Sequence, residues 1–223
     1  MDDLDCAGET LNQTLKELEL INRWLGGNQV TIKGIEKLLS ALPVQPQQLE
    51  IADVGCGGGD MLNLVADWAR KSGIEVKLYG VDANPNVVAY ARENSKRYPE
   101  ITYEALNIFS QEFQQRQFDI ILCTLFTHHF EDRPLVALFQ TMYRQSRLGV
   151  VINDLHRHWL AYWSILVITR YFSNSVMVKN DAPISVKRGF LRSELAAITR
   201  SAAIDQFQIN WRWAFRWQLI FWH

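Results

Sequence analysis

Residues 51–60 read IADVGCGGGD. The opening residues are a short apolar run of the kind a buried strand makes, and Gly55, Gly57 and Gly59 then stand at alternate positions. A helical pattern follows at once over residues 61–71, with Leu62, Val65, Ala66 and Ala69 on one side. Glycines so spaced let a backbone turn tightly between strand and helix and approach a ligand closely. A ligand at that turn lies at the carboxyl end of a strand and faces a helix N-terminus.

Outward from this turn the pattern repeats. EVKLYGV (75–81) reads as a second strand that leads into Asp82, and residues 85–97 as a helix with proline in its first turn, where the missing N–H costs nothing. Further strands are expected at 101–105, 118–123 and 148–153, with a helix carrying Pro134 near its start between the last two. Strand and helix alternate from residue 49 to 153, which implies a parallel sheet covered on both faces. The runs IILC and VVI are continuously apolar, as strands buried on both faces should be. Upstream, Leu11, Leu15, Leu18, Ile21 and Leu25 mark one face of a helix over 9–25 that Gly26-Gly27 stops, and a second helix spans 32–42. Downstream, WLAYWSILVITRYF (159–172) is an apolar helix, followed by an irregular stretch through Asp181-Ala182-Pro183 and a helix near 191–202. The tail reads as two antiparallel strands closing the sheet edge, with Trp211 and Trp213 on an inward face. The expected fold is α/β: seven mostly parallel strands with helices on both faces. One domain is divided into an N-terminal cap (1–45), a core (49–153), a lid insertion (154–190) and a C-terminal helix with edge strands (191–223).

The composition narrows the class. At 223 residues the chain suits a single domain with a full core. Its 23 Lys and Arg against 24 Asp and Glu leave no basic excess of the kind that nucleic-acid binders carry. Cys6, Cys56 and Cys123 fit neither a disulfide framework nor a zinc ribbon. The acidic start MDDLD is unlike a signal peptide, and no segment nears 18 uninterrupted apolar residues. A soluble, reduced, cytoplasmic protein with no membrane span is expected.

The glycine spacing separates two cofactor classes. A dinucleotide site uses G-x-G-x-x-G, and counted from Gly55 its last position is Asp60, a poor neighbour for a pyrophosphate; counted from Gly57 it is Leu62. This disfavours a nicotinamide-dependent oxidoreductase. The pattern is instead D-x-G-x-G-x-G, opened by Asp53, which suits a ligand with a cationic amine and no phosphate. It resembles motif I of the class I S-adenosylmethionine-dependent methyltransferases, and VDANP resembles the acidic loop that holds the ribose in that family. The resemblance covers residues 49–153. It implies that S-adenosylmethionine, and the product S-adenosylhomocysteine, are held by Asp53, Gly55, Cys56, Gly57, Gly59, Asp82, Ala83, Asn107, Ile108 and Thr124. Asn107 stands where the family places an acidic residue against the adenine amino group. INRWLGG and INDLHRH are similar to features of a bacterial subgroup linked to lipophilic polyketide, quinone or pigment pathways.

Four of five histidines crowd the loops after the fourth and fifth strands. His128 and His129 follow the former; Asp154, His156 and His158 follow the latter. A histidine base near neutral pH, oriented by Asp154, would take the proton of a phenol or enol acceptor as it is methylated. The candidate catalytic set is therefore His128, His129, His156 and Asp154. No metal-binding helix spacing such as H-E-x-x-H occurs, and no metal is expected. The aromatic helix, through Trp159, Tyr162, Trp163 and Phe172, is read as a lid over an apolar pocket, with Arg23 and Trp24 closing the opposite side. The acceptor expected is a hydroxyl or activated carbon of a small lipophilic molecule such as a phenol, quinol or polyketide. A protein that binds the cofactor without catalysis is the alternative.

Overall fold

A computed structural model describes residues 7–44 and 46–223. The acidic start and Cys6 lie outside them. Seven strands form one sheet: β1 (Gln48–Val54), β2 (Glu75–Asp82), β3 (Ile101–Ala105), β4 (Phe118–Thr124), β5 (Ser146–Leu155), β6 (Phe207–Arg212) and β7 (Arg216–Trp222). Their order is β3-β2-β1-β4-β5-β7-β6. The first five run parallel, and β7 pairs antiparallel with both β5 and β6. The chain winds outward from β1 in one direction and then, from β4, in the other. The crevice between the carboxyl ends of β1 and β4 is thus the switch point where ligands of such sheets bind.

Alternate residues of the central strands feed two cores. Ile51, Leu78, Ile120, Leu122 and Val151 pack with α2 (Gln29–Ser40), α3 (Asp60–Ser72) and α4 (Pro85–Asn94) on one face. Ala52, Val81, Ile121, Cys123 and Ile152 pack with α6 (Asp132–Gln145) and α9 (Arg192–Ser201) on the other. The four-residue α5 (Gln111–Gln114) adds Phe113 to that second core. Burial on both faces is why IILC and VVI show no polar alternation.

The remaining helices, α1 (Glu9–Trp24), α7 (Trp159–Phe172) and α8 (Val176–Arg188), stand together beyond the carboxyl ends of the strands. Four expectations change here. The stretch through Pro183 is not irregular but lies inside α8, started by Ser175, whose hydroxyl accepts the Val178 N–H. Docking against α1 and α7 holds this helix in spite of a proline that weakens it locally. Trp211 and Trp213 do not pack inward: Trp211 shares its sheet face with Ile209 and Trp217 but is half exposed, and Trp213 lies in the turn between β6 and β7, also exposed. Trp159, Trp163 and Phe172 likewise turn to solvent, so the face they make is not the wall of a closed pocket. β5 itself runs on to Leu155, so Asp154 belongs to the sheet rather than to the insertion.

Candidate functional site

The turn after β1 is built for close approach. Gly55, Gly57 and Gly59 all have positive φ (71°, 51° and 81°), which only glycine adopts without strain. A Cβ on Gly55 would lie 2.4 Å from the Phe126 ring, whereas one on Gly57 would meet open space. The open side of the loop is therefore at Gly57. Neighbours fix the loop's carbonyls: Asn94 Nδ2 donates to Gly58 O (2.9 Å) and Tyr103 Oη to Gly59 O (3.4 Å).

Three carboxylates converge on this loop. Asp82, at the end of β2, accepts the Gly57 N–H at 3.3 Å and the Asn84 N–H at 3.0 Å. Asp60, in the first turn of α3, accepts from Asn28 Nδ2 at 3.0 Å. Asp53 is fully buried, and its Oδ1 has no hydrogen-bond partner among the described residues. Burial pushes all three carboxyls upward; for Asp53 the shift is large, with the charges of Asp60 and Asp82 adding to it. A buried carboxylate without a donor is costly, and a cation placed among the three removes that cost. An orphaned Oδ1, a glycine loop with an open side and a ribose-type acid on the loop's amides together fit a ligand that is cationic and carries a diol.

The other cofactor candidates are placed less directly. Cys56 is buried, and burial raises its thiol well above the ordinary value, so it contributes backbone rather than a thiolate. Ala83 is exposed beside Asp82. Asn107 is exposed and uses its Oδ1 to accept the Phe109 N–H at 2.9 Å, shaping its own loop. The Ile108 side chain belongs to the core. Thr124 Oγ1 lies 3.1 Å from Thr31 Oγ1, and Asn153 Nδ2 donates to both Thr31 Oγ1 (3.1 Å) and Gly27 O (2.8 Å). This ladder pins the α1–α2 turn to the ends of β4 and β5.

A second polar cluster lies at the ends of β4 and β5. Leu125, with φ of 54°, turns the chain into the single 3-10 turn Thr127–His129. His128 is buried there, with Nδ1 2.7 Å from Asp154 Oδ1. The other Asp154 oxygen accepts from the Thr127 hydroxyl (2.5 Å) and the His128 N–H (3.2 Å). Burial alone would raise the Asp154 carboxyl, but the charge and hydrogen bond of His128, with Thr127 and the Leu155 N–H, outweigh it and hold it at about 2. A permanent carboxylate at Nδ1 takes that nitrogen's proton as its hydrogen bond and leaves Nε2 as the basic atom. That Nε2 is buried and has no partner among the described residues.

The other histidines separate by role. His129 is exposed with its ring 4.3 Å from that of His128, centroid to centroid. His156, two residues past Asp154, packs on Trp217 (4.8 Å) and His158 (5.3 Å), and burial holds it mainly neutral by lowering its pKa. His158 caps α7: its Nδ1 accepts the Leu160 N–H at 3.2 Å. No group of three or more His, Cys, Asp or Glu side chains among the described residues is set to hold a metal.

Two further charged groups are not read from the sequence as site residues. Asp60 was legible only as a misfit to a phosphate site. Arg216, opposite Leu155 in the β5–β7 pairing, is a fully buried guanidinium. Its Nη2 donates to Asn22 Oδ1 (3.0 Å), while Nε and Nη1 have no partner among the described residues. Burial lowers it to about 10, against the pull of Asp154. Nothing in a local reading of FRWQL distinguishes this arginine from an exposed one.

Residues 51–149 match the family described as "Methyltransferase domain". Over 137 residues the chain is 33% identical to clavatol synthase of Penicillium crustosum, which spans 58% of this chain and 5% of that protein. Over 161 residues it is 28% identical to the 2-phytyl-1,4-naphtoquinone methyltransferase of Nostoc punctiforme, covering 71% of this chain and 65% of the relative. Among solved structures, the plantazolicin methyltransferase in complex with S-adenosylhomocysteine superposes with a TM-score of 0.68 at 14% identity, covering 96% of this chain and 94% of that one. The chain thus spans a small fraction of the first curated relative and just under two thirds of the second.

Proposed function

We propose that this chain, whose residues 51–149 match a methyltransferase-domain family on a sheet of the corresponding strand order, moves a methyl group from S-adenosylmethionine to an oxygen or acidic carbon of a small lipophilic acceptor. The observation that carries the reading is the buried His128–Asp154 pair, whose free Nε2 lies at the same strand ends as the glycine loop. When bound, the cofactor supplies a methyl group on a sulfonium, an electrophile that needs no further activation.

The residues divide the work. Asp53, Asp60 and Asp82 offer negative charge to the amine and the ribose diol, and the Gly55–Gly59 backbone admits the ligand's close approach. Asp154 keeps the His128 proton on Nδ1. His128 Nε2 accepts the acceptor's proton as its oxygen or carbon forms the bond to the methyl. Held by the glycine loop and the three carboxylates, the cofactor would supply that methyl, the electron pair of its carbon–sulfur bond staying on sulfur. Thr127 and the Leu155 N–H hold Asp154 so that the imidazole does not rotate away. Alignment of nucleophile and methyl supplies a large share of the acceleration, and a general base adds about 10²–10⁴-fold.

The near-neutral charge of the chain and the partly buried Phe126 and Phe130 that flank the His128 turn favour a lipophilic phenol, quinol or β-dicarbonyl compound over nucleic acid. The quinone named for the Nostoc relative is of this kind. The test uses methyl-labelled S-adenosylmethionine with a metabolite extract. Label is expected in the organic-soluble fraction, falling at least about 100-fold with His128→Ala while S-adenosylhomocysteine binding is kept. Label in precipitated macromolecule, or undiminished label with His128→Ala, overturns the reading.

A further inference from the structure

Helix α7 breaks the usual rule for surface helices. Thirteen of its fourteen residues, WLAYWSILVITRYF, are uncharged and most are apolar all round; Arg170 is the one charge. A helix apolar on every side is normally buried in a core or a membrane. Here only Ala161 and Thr169 are buried. Trp159, Trp163, Val167 and Tyr171 recur every fourth residue and make one outward stripe. With Phe172 they are between 53% and 75% exposed.

The aromatic surface continues past both ends of the helix. At the C-terminal end Phe172 meets Trp24 of α1, which is itself 79% exposed, with ring centroids 5.9 Å apart. At the N-terminal end Trp159 stacks near His158, His158 stacks on Phe215, and Phe215 meets the exposed Trp211. The result is an exposed apolar, ring-rich band along α7 and past both its ends. Such a patch on a soluble surface marks an interaction site.

Charge identifies the partner. Residues 155–192 hold six of the chain's Lys and Arg and one acidic residue, Asp181; with Arg157 paired to Glu194 and Glu17 of α1 set against Ser173–Ser175, a local excess of +3 remains in a chain of net charge −1. Arg170 on α7 and Lys179, Lys187 and Arg188 on the adjoining α8 are exposed, and Lys187 lies 4.8 Å from the centre of the Tyr162 ring. Tryptophan and tyrosine with a basic rim match the interface of an anionic bilayer, where rings sit at headgroup depth and lysine and arginine meet lipid phosphates. A second copy of the chain fits poorly, because a two-fold contact would bring the two basic rims together. No helix among the described residues is long and apolar enough to cross a membrane, so the contact is with its surface.

The geometry points to α7, with the basic residues of α8 and the adjoining Trp24, as a docking face for an anionic phospholipid bilayer. This stands independently of the methyl-transfer reading. The test is flotation of the full chain with vesicles of phosphatidylcholine alone or with one quarter phosphatidylglycerol. The wild type is expected to float with the anionic vesicles, to do so weakly with neutral ones, and to be released by raised salt. Trp163→Ser with Tyr171→Ser, and separately Arg170→Glu with Lys179→Glu, should each cut binding at least about tenfold while circular dichroism and S-adenosylhomocysteine binding are kept. Failure of the wild type to bind anionic vesicles overturns the proposal. So does a loss confined to the charge variant, which would be generic attraction, or a solution dimer that the aromatic variant abolishes.

Discussion

Asp53 and Asp154 are both fully buried carboxyls, yet their surroundings push them in opposite directions. Asp53 has other carboxylates for neighbours and a bare oxygen, so its pKa rises; Asp154 has His128, Thr127 and two backbone N–H groups, so it stays ionised to about 2. A pair of acids separated in this way commonly serves two roles. Asp154→Asn should leave S-adenosylhomocysteine affinity within about twofold and lower the rate about 10²–10⁴-fold, because an amide no longer dictates which imidazole nitrogen holds the proton. Steady-state kinetics beside calorimetric titration would separate these. For Asp53, Asp60 and Asp82 the raised folded-state values mean that lowering the pH from neutrality strips negative charge from the site. Affinity for the cationic cofactor should therefore fall as pH drops, and Asp53→Asn should weaken binding at pH 7.5 by about tenfold and flatten that slope. A titration series from pH 5 to 8 reads both. The residue types behind this were visible in the motif, but not the opposite environments. Those depend on which donors arrive from elsewhere in the chain.

At the scale of elements, tight packing of α2 onto the sheet positions the site. Gly34 lies so close to β5 that a Cβ there would sit 2.4 Å from Val151 Cγ1. Gly34→Ala should cost about 1–3 kcal/mol in urea denaturation, and adding Val151→Ala should recover part of it, since overpacking rather than helix propensity is at fault. Strands and helices from residue 49 to 153 were legible because their periods are local: alternate glycines, Pro85 in a first turn, and unbroken apolar runs. α8 was not, because Pro183 and the neighbouring Asn180 and Asp181 read as a break. Contacts with α1, α7, the Thr127–His129 turn and β5 hold that segment helical. The outward turn of α7 was equally hidden, since an apolar helix has no polar face to betray its orientation.

Across the whole molecule, the N-terminal helix is tied to the far end of the chain. Glu17 accepts from the Ser173 hydroxyl and from the Asn174 and Ser175 N–H groups at 3.2 Å, and Thr14 and Ser175 share a hydrogen bond of 2.9 Å. These bonds hold the Glu17 carboxyl below its usual range despite some burial. Leu15, next to Thr14 in α1, reaches toward Gly58 of the glycine loop. Glu17→Ala should free α1 from the start of α8, costing about 1 kcal/mol and speeding proteolysis near residues 20–30. Bound S-adenosylhomocysteine should slow that cleavage, as a ligand under α1 favours the closed arrangement.

By itself the sequence determined the parallel sheet, the glycine loop with its two flanking acids, and the crowding of histidines after the fourth and fifth strands. Each is written in spacing over a few residues, where backbone conformation and turn chemistry act. Tertiary structure alone decided that His128 and not His156 meets Asp154, that Arg216 is buried with unused donors, and that α7 shows its rings to solvent. Those outcomes join residues tens of positions apart or depend on which face a neighbour covers. Hydrogen bonding and desolvation act through distance in space, and separation along the chain does not report it.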